Sequence, residues 1–305
     1  MDGVFQGSSS VSVAAGNPVV TIGNFDGVHR GHQALLNHTL EVAKRLDTTA
    51  CAYTFDPAPR DVLRPDNPVI RIQCLDDRIA SLQSAGIDAV VVEPFTLEFS
   101  RNDAQWFAEE ILVRRLRACA VVVGWDFRFG RGRAGGVDEL SRWLTIPVEQ
   151  VAAFEEGSQV ISSSRIRRAL HDGEVTLAGE LLGRMHDVVG KVVSGDQRGR
   201  ELGYPTANLH SRTPLIPKDG VYAVWAELEG GERLRAVCNV GTRPTFGPGG
   251  RKVEVHLMNQ SVDLYDRTLR IHFARRLRDE IRFSERAALV AQIQQDIQVA
   301  LEWLR

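Results

Sequence analysis

Cysteine is scarce in this chain: Cys51, Cys74, Cys119 and Cys238 are the four among 305 residues. None stand at zinc-ribbon or thioredoxin spacing, so neither a structural zinc site nor a dithiol redox motif is written in them. Cys51 and Cys119 lie in apolar runs and are expected as buried, reduced thiols, which makes the cytoplasm the expected location. Neither sign of charge is in excess, the formal net charge being −2. Nothing in bulk therefore favours a nucleic acid or a membrane as partner. Apolar runs such as Ala118–Gly124 are far too short to span a bilayer. The opening MDGVFQGSSS lacks a basic segment followed by an apolar one, so no secretory signal is expected. Internal repeats and low-complexity tracts are missing. So is any Walker lysine motif, which excludes a P-loop kinase on pattern. What remains is 43% hydrophobic and 25% charged, an ordinary globular balance over a length that suggests two domains.

The two halves have different grammar. The first alternates short apolar runs with helical patterns. Strands are expected at Pro18–Gly23, Ala50–Phe55, Asp88–Pro94, Ala118–Trp125 and Ile146–Phe154. Helices are expected at His32–Leu46, Asp76–Ser84, Asn102–Leu116 (capped by Asn102 or Asp103) and Val137–Leu144. Strands bare of polar residues and separated by helices indicate an α/β fold with a parallel sheet covered on both faces, whose ligands sit beyond the carboxyl ends of the strands. From Val188 on, short strands are separated by Gly and Pro turns: Val188–Val193, Gly220–Glu229, Leu234–Val240, Lys252–Leu257 and Thr268–Phe273. This antiparallel pattern suits a small closed barrel. A last helix, with Ser284 as its expected cap, carries Leu289, Ile293, Ile297 and Leu301 as a stripe to dock on the barrel. The boundary falls near Leu182–His186, giving domains 1–183 and 184–305.

Five segments carry polar groups suited to chemistry. The string from Thr21 to His32, TIGNFDGVHRGH, follows the first strand and opens a helix. Gly23 and Gly27 permit a tight turn, and the helix start offers free N–H groups to a phosphate. His29 and His32 are three apart and can donate hydrogen bonds as charge builds on that phosphate. Two surface histidines, or a zinc pair with its other ligands elsewhere, are the alternative readings. The string ISSSRIR from Ile161 opens another helix, where Ser163 and Ser164 can cap and donate to phosphate, and Arg165 and Arg167 bring cationic forks. A capped, basic amphipathic helix is the plainer reading. Between them, GWDFRFGRGRAGG from Gly124 contains G-x-G-x-x-G, but the glycines do not follow the strand directly, so a dinucleotide fingerprint is not read. A mobile, basic, phosphate-covering loop is expected. In the second half, GDQRGRELGYPTANL from Gly195 ends with Thr206 and Asn208 on one side of an extended segment. Their oxygens suit Mg²⁺, although a plain turn has the same pattern. On RKVEVHL, Val253, Val255 and Leu257 face one way and Glu254 and His256 the other. Glu254 is then either a base toward an alcohol or an exterior charge.

The string GVHRGH resembles the HxGH signature of nucleotidylyltransferases, and GNFDGVHRGH resembles the prokaryotic bifunctional riboflavin kinase/FAD synthetase family. The later strings ISSSRIR, GDQRGRELGYPTAN, GTRPTFG, EVHL and LRDEIRF are similar to that family in the same order, over nearly the whole chain. The resemblance implies a Rossmann-like nucleotidylyltransferase domain followed by a riboflavin kinase barrel. It implies ATP-dependent phosphorylation of riboflavin to FMN, then adenylylation of FMN to FAD with release of pyrophosphate. It carries ATP-phosphate roles to His29, His32, Ser163, Ser164 and Arg167, with Gly23, Asn24 and Asp26 shaping the same loop. Phe55, Asp126 and Arg128 fall to the flavin pocket. In the kinase domain it gives Thr206 and Asn208 to Mg²⁺–ATP, Gly195 to Arg200 to a loop over ATP, and Glu254 to the riboflavin 5′-hydroxyl as base. The partners implied are riboflavin, FMN, FAD and ATP, on a monomer or weak homo-oligomer. One departure stands out: family members usually have F-[DE]-P-H-P, and here FDPAP places Ala58 where His is usual. The rival readings are a kinase whose adenylyltransferase domain is impaired at Ala58, a nucleotidylyltransferase for another substrate, and a non-catalytic flavin-binding regulator.

Overall fold

The computed structural model describes residues 3–11, 16–157, 159–194, 199, 202–242, 251–258, 260, 262 and 264–305. The chain divides into two compact units, Met1–Ser162 and Ser163–Arg305.

The first unit is built on a parallel sheet. Its strands are β1 (Val4–Gln6), β2 (Val19–Ile22), β3 (Ala50–Phe55), β4 (Ala89–Glu93), β5 (Ala120–Gly124) and β6 (Val148–Val151), in the order β1-β4-β3-β2-β5-β6. Between them run α1 (Arg30–Arg45), α2 (Pro59–Leu63), α3 (Leu75–Ser84), α4 (Ala104–Trp106) and α5 (Val137–Trp143). The central strands are apolar on both sides because both faces are covered. Val20, Ile22, Tyr53, Val121 and Val123 join one core with Phe107, Ile111 and Leu112, while Val19, Ala52, Val90 and Val122 join another with Leu36 and Val42. The chain leaves β2 for β3 on one side and β5 lies on the other, so the order reverses at β2. The crevice beyond its carboxyl end is where such sheets bind ligands.

Five of these strands fall where the alternating grammar puts them; the three-residue β1 was not expected. The helix expected over Asn102–Leu116 is capped by Asp103, whose Oδ1 accepts from the Trp106 N–H at 2.7 Å. It widens into a π-helical stretch, Phe107–Arg115, seen in the Leu116 N–H donating to the Ile111 carbonyl. A short hairpin, β7 (Glu155–Glu156) and β8 (Gln159–Val160), follows β6.

The second unit opens with α6 (Ser163–Asp172) and α7 (Val175–Leu182), then forms a closed antiparallel barrel. Its strands are β9 (His186–Val193), β10 (Ala207–Ser211), β11 (Gly220–Glu227), β12 (Arg233–Thr242), β13 (Arg251–Leu257) and β14 (Thr268–Arg278), around the ring β10-β13-β12-β11-β14-β9. Tyr222, Val224, Cys238, Val240, Val253, Val255, Ile271 and Phe273 are buried from alternate positions and fill the interior. The terminal helix α8 (Arg286–Trp303) covers the outer side of β11, β12 and β14. Two expectations are corrected here. Glu285, not Ser284, holds the cap position, and it makes no side-chain capping bond. The expected stripe docks only in part: Ile297 and Leu301 pack against the cluster of Ala223, Met258, Ala300 and Leu304, Leu289 and Ile293 are half-buried, and the residues fully covered are Asp296, Ala300 and Leu304. The reason is polar: the Arg278 guanidinium on β14 grips the Asp296 carboxylate with both forks, at 2.9 and 2.7 Å.

Candidate active sites

The first site grows out of the turn after β2. Phe25 and Val28 take positive φ, +48° and +40°, and Gly27 takes +87°. Left-handed backbone is unusual for a β-branched residue such as Val28 and marks stored strain. Buried Phe25 and Val28 anchor the turn in the core beneath the sheet's central strands. Gly23 lies close under the Phe25 ring, where an added Cβ would stand 3.1 Å from it and push the ring by a few tenths of an ångström. The Asp26 carboxylate points back into the protein, accepting from the Ile72 N–H at 2.9 Å. It shapes the loop, while Asn24 is exposed.

The turn delivers His29 to the cap position of α1. Its Nδ1 accepts from the backbone N–H of His32 at 3.3 Å. Accepting there leaves Nε2 as the nitrogen that carries the ring proton. Gly31 keeps space for the ring, as a Cβ there would lie 3.2 Å from His29 Nδ1. The His32 ring stacks on His29 with centroids 3.6 Å apart and planes 15° apart. Burial, reinforced by the adjacent His29, holds the His32 imidazole well below the usual histidine value, so it is neutral at pH 7. The pair thus presents neutral N–H donors at the positive end of a sixteen-residue helix. Among the described residues no group of three or more His, Cys, Asp or Glu side chains is arranged to hold a metal, so the zinc reading of this pair finds no further ligands.

The rim of this site includes one residue that sequence patterning missed. Arg78 on α3 is 3% exposed and donates to the carbonyls of Asn24 and Phe55, each at 3.0 Å. It ties the turn after β2 to the end of β3. Phe55 lies edge-on to Tyr53, Phe95 and Phe99. Ala58 is buried at the head of α2. Asp126 and Arg128 are exposed on the loop after β5, with the Arg128 guanidinium against Gly136. The following glycine loop is tied at its base by paired bonds between Phe129 and Gly135 and by Gly130 seated on Ala104, leaving Arg131 and Arg133 exposed. Arg30, inside the histidine motif, contacts Glu156 at 2.5 Å and covers the Phe154 ring, so the β7–β8 hairpin lies on the start of α1.

In the second unit, α6 opens at Ser163, which puts Ser163 and Ser164 in its first turn rather than ahead of it. Ser164 is exposed, Arg167 half-buried, and Ile166, Ala169 and Leu170 form the buried side.

The barrel's outer face holds the other site. Asn208 on β10 is directly opposite Glu254 on β13, and Glu254 is directly opposite Asn239 on β12. Residues so paired project to one face, giving a polar row across three strands. Val253 and Val255 point inward, so the alternation read from the sequence holds and Glu254 faces out. Asn239 donates to Glu280 at 3.2 Å, and Lys252 is ion-paired with Glu254. β10, the second strand of the barrel, falls in a segment expected only as extended chain. Thr206 precedes it, exposed, with Gly199 so close that a Cβ would meet Thr206 Oγ1 at 3.2 Å and the Tyr204 carbonyl at 2.4 Å. The hydroxyl of Thr206 and the amide of Asn208, with the Glu254 carboxylate across the strand pair, are hard oxygen donors of the kind a divalent metal takes. Gly195, Arg200 and most of GTRPTFG lie outside the described residues.

Comparison with known proteins bears on both sites. The family of FAD synthetases matches residues 12–165, and the family of riboflavin kinases matches residues 182–304. The bifunctional riboflavin kinase/FMN adenylyltransferase of Escherichia coli K12 is 38% identical over 93% of this chain and 92% of its own length. Those of Haemophilus influenzae and Pseudomonas fluorescens are 36% and 37% identical, each over 92% of this chain, covering 92% and 91% of their own lengths. A crystal structure described as a macrolide-efflux protein from Streptococcus pneumoniae superposes with a TM-score of 0.91 at 30% identity, covering 98% of both chains. The chain belongs to the family of bifunctional riboflavin kinase/FMN adenylyltransferases.

Proposed function

We propose a division of labour for the two transferase activities this chain shares with its family: the His29–His32 turn serves adenylyl transfer, and the Glu254 row serves riboflavin phosphorylation. The observation that carries the reading is that one chain holds both built sites, a stacked neutral histidine pair at a helix start and a carboxylate set in a polar row.

In the adenylyl step, a phosphate oxygen of FMN attacks the α-phosphorus of ATP. A new P–O bond forms as the bond to the pyrophosphate oxygen breaks. The nucleophile is already anionic and requires no base. The site's contribution is donors aimed at the developing charge: His29 through Nε2–H, His32 beside it, and the N–H groups of the first turn of α1. The resemblance of ISSSRIR to the family assigns ATP-phosphate roles to Ser163 and Ser164 as hydroxyl donors and to Arg167 as a cation. Phe55, Asp126 and Arg128 contribute to flavin binding, and the turn of Gly23, Asn24 and Asp26 sets the loop's shape.

In the kinase step, the 5′-hydroxyl of riboflavin gives its proton to Glu254 as the oxygen bonds to the γ-phosphorus of ATP and ADP leaves. Thr206 and Asn208 would hold the Mg²⁺ that accompanies ATP, and that ion would supply charge screening at the phosphates. The string from Gly195 to Arg200, largely outside the described residues, is assigned to ATP binding by the family resemblance. The functional division stays at 1–183 and 184–305, a reading supported by the riboflavin kinase family's match beginning at residue 182. No disulfide joins the four cysteines, of which Cys51 and Cys238 are buried while Cys119, expected buried, is half-buried like Cys74, and this supports a cytoplasmic location. No helix among the described residues is long and apolar enough to cross a membrane. A monomer or weak homo-oligomer completes the proposal.

Single variants separate the two sites. Glu254→Gln should abolish FMN formation from riboflavin and leave FAD formation from FMN, and His29→Ala should do the reverse. Loss of both activities in either variant would contradict the division.

A further inference from the structure

We propose that Lys252 is a positioning residue of the kinase step, holding the Glu254 carboxylate toward the riboflavin hydroxyl. The inference rests on the reading of Glu254 as the base. Lys252 and Glu254 are two apart on β13 and so share its outer face. Their side chains are ion-paired and only 21% and 23% exposed, unlike a freely solvated surface pair. The flanking neighbours across the strands, Asn208 and Asn239, are neutral amides. Asn239 is engaged by Glu280, and His256 further along β13 is bonded through Nδ1 to the Pro205 carbonyl at 2.8 Å. Among the described residues, Lys252 is therefore the cation that fixes where the Glu254 oxygens lie.

The charge flow of the reaction gives the pair its use. When Glu254 takes the hydroxyl proton it becomes neutral, and Lys252 loses its counter-charge while negative charge moves onto the new phosphate ester beside it. The lysine first restrains the base and then is left with its charge available to the product side. The pair keeps partial solvent contact and contributes modestly to stability, so the role is expected in turnover more than in folding. Lys252 carries no part of the adenylyl site.

The test is steady-state kinetics of riboflavin phosphorylation by the full chain with Mg²⁺–ATP, comparing wild type, Lys252→Met, Lys252→Arg and Glu254→Gln. For Lys252→Met, kcat should fall roughly tenfold to a hundredfold, as for a misdirected catalytic group. KM for riboflavin and ATP should hold within about twofold, as expected when an interaction serves the transition state alone. Lys252→Arg should restore most of kcat. Wild-type kcat in Lys252→Met, alongside a dead Glu254→Gln, would overturn the inference and leave the base reading intact. A loss in Lys252→Met that appears in KM with kcat held would also overturn it, making the lysine a binding group. Full turnover in Glu254→Gln would remove the base reading and this inference with it.

Discussion

His29 receives the backbone N–H of His32 on Nδ1 while the two imidazole rings lie stacked 3.6 Å apart. One residue therefore caps the helix and aims a donor, and the other is kept neutral by burial and by its partner. Replacing His29 by Ala should cost about 1 kcal/mol of stability through the lost cap. It should lower adenylyl transfer by about two to three orders of magnitude. Urea unfolding and the rate of FAD formation from FMN check the two parts separately.

The state of His32 has its own signature. Its folded value lies well below the ordinary 6.5, so between that value and 6.5 the unfolded chain binds the proton and the native chain does not. In a proton NMR titration, the His32 ring signal should show no transition at pH 6.5. FAD formation from FMN should stay level between about pH 6.5 and 8, since no imidazole has to gain a proton. A His32 transition at or above pH 6.5 would contradict the neutral-donor account.

Arg78 is the clasp of the first site. Arg78→Met removes the donor shared by the Asn24 and Phe55 carbonyls and should destabilise the first unit by about 2–4 kcal/mol. FAD formation should fall, while FMN formation from riboflavin should persist at temperatures where the protein is folded. Thermal unfolding with both assays measures this.

His186 makes the barrel acid-sensitive. It is 2% exposed, donates to the Leu215 carbonyl, and burial pushes it down to about 4 from 6.5. Its folded value is depressed, so stability is fully present above pH 6.5 and is lost as pH falls toward about 4. The loss should reach about 3 kcal/mol. His272, also lowered by burial, adds a slope of the same sign. His186→Gln should flatten the dependence of urea midpoint on pH over this range without abolishing it.

The Arg278–Asp296 grip should matter more than the apolar stripe of α8. Asp296→Ala leaves a partly buried guanidinium unpaired and should cost about 3 kcal/mol. Leu289→Ala, on a half-buried position, should cost less. Trp225, packed under α8, provides a fluorescence readout of this docking.

The parts legible in sequence are those set by local pattern. The run Ala50–Phe55 is a strand at the bounds read, because an apolar stretch buried on both faces has one solution in an α/β unit. Glu254 faces outward as the Val253–Val255 alternation requires. The strand β1 is three residues long and exists through its parallel pairing with β4, which no local pattern announces. The segment Ala207–Ser211 has one fully buried residue, and β9 and β13 make it a strand. Arg78 looks like any helical arginine until the fold brings two carbonyls to it. Lys252 could have been found, since two-residue spacing from Glu254 puts it on the same face.

The most direct test of the account is the flavin composition formed by the purified chain with ATP and Mg²⁺, starting from riboflavin and, separately, from FMN. Ala58, buried at the head of α2 and standing where the resemblance leads one to expect histidine, makes the second start the decisive one. The account predicts FAD from both starts, with FMN as the intermediate from riboflavin. FMN accumulating from riboflavin, and FMN left unconverted in the second reaction, would contradict the bifunctional reading and leave a kinase whose FDPAP loop is the first place to restore a histidine.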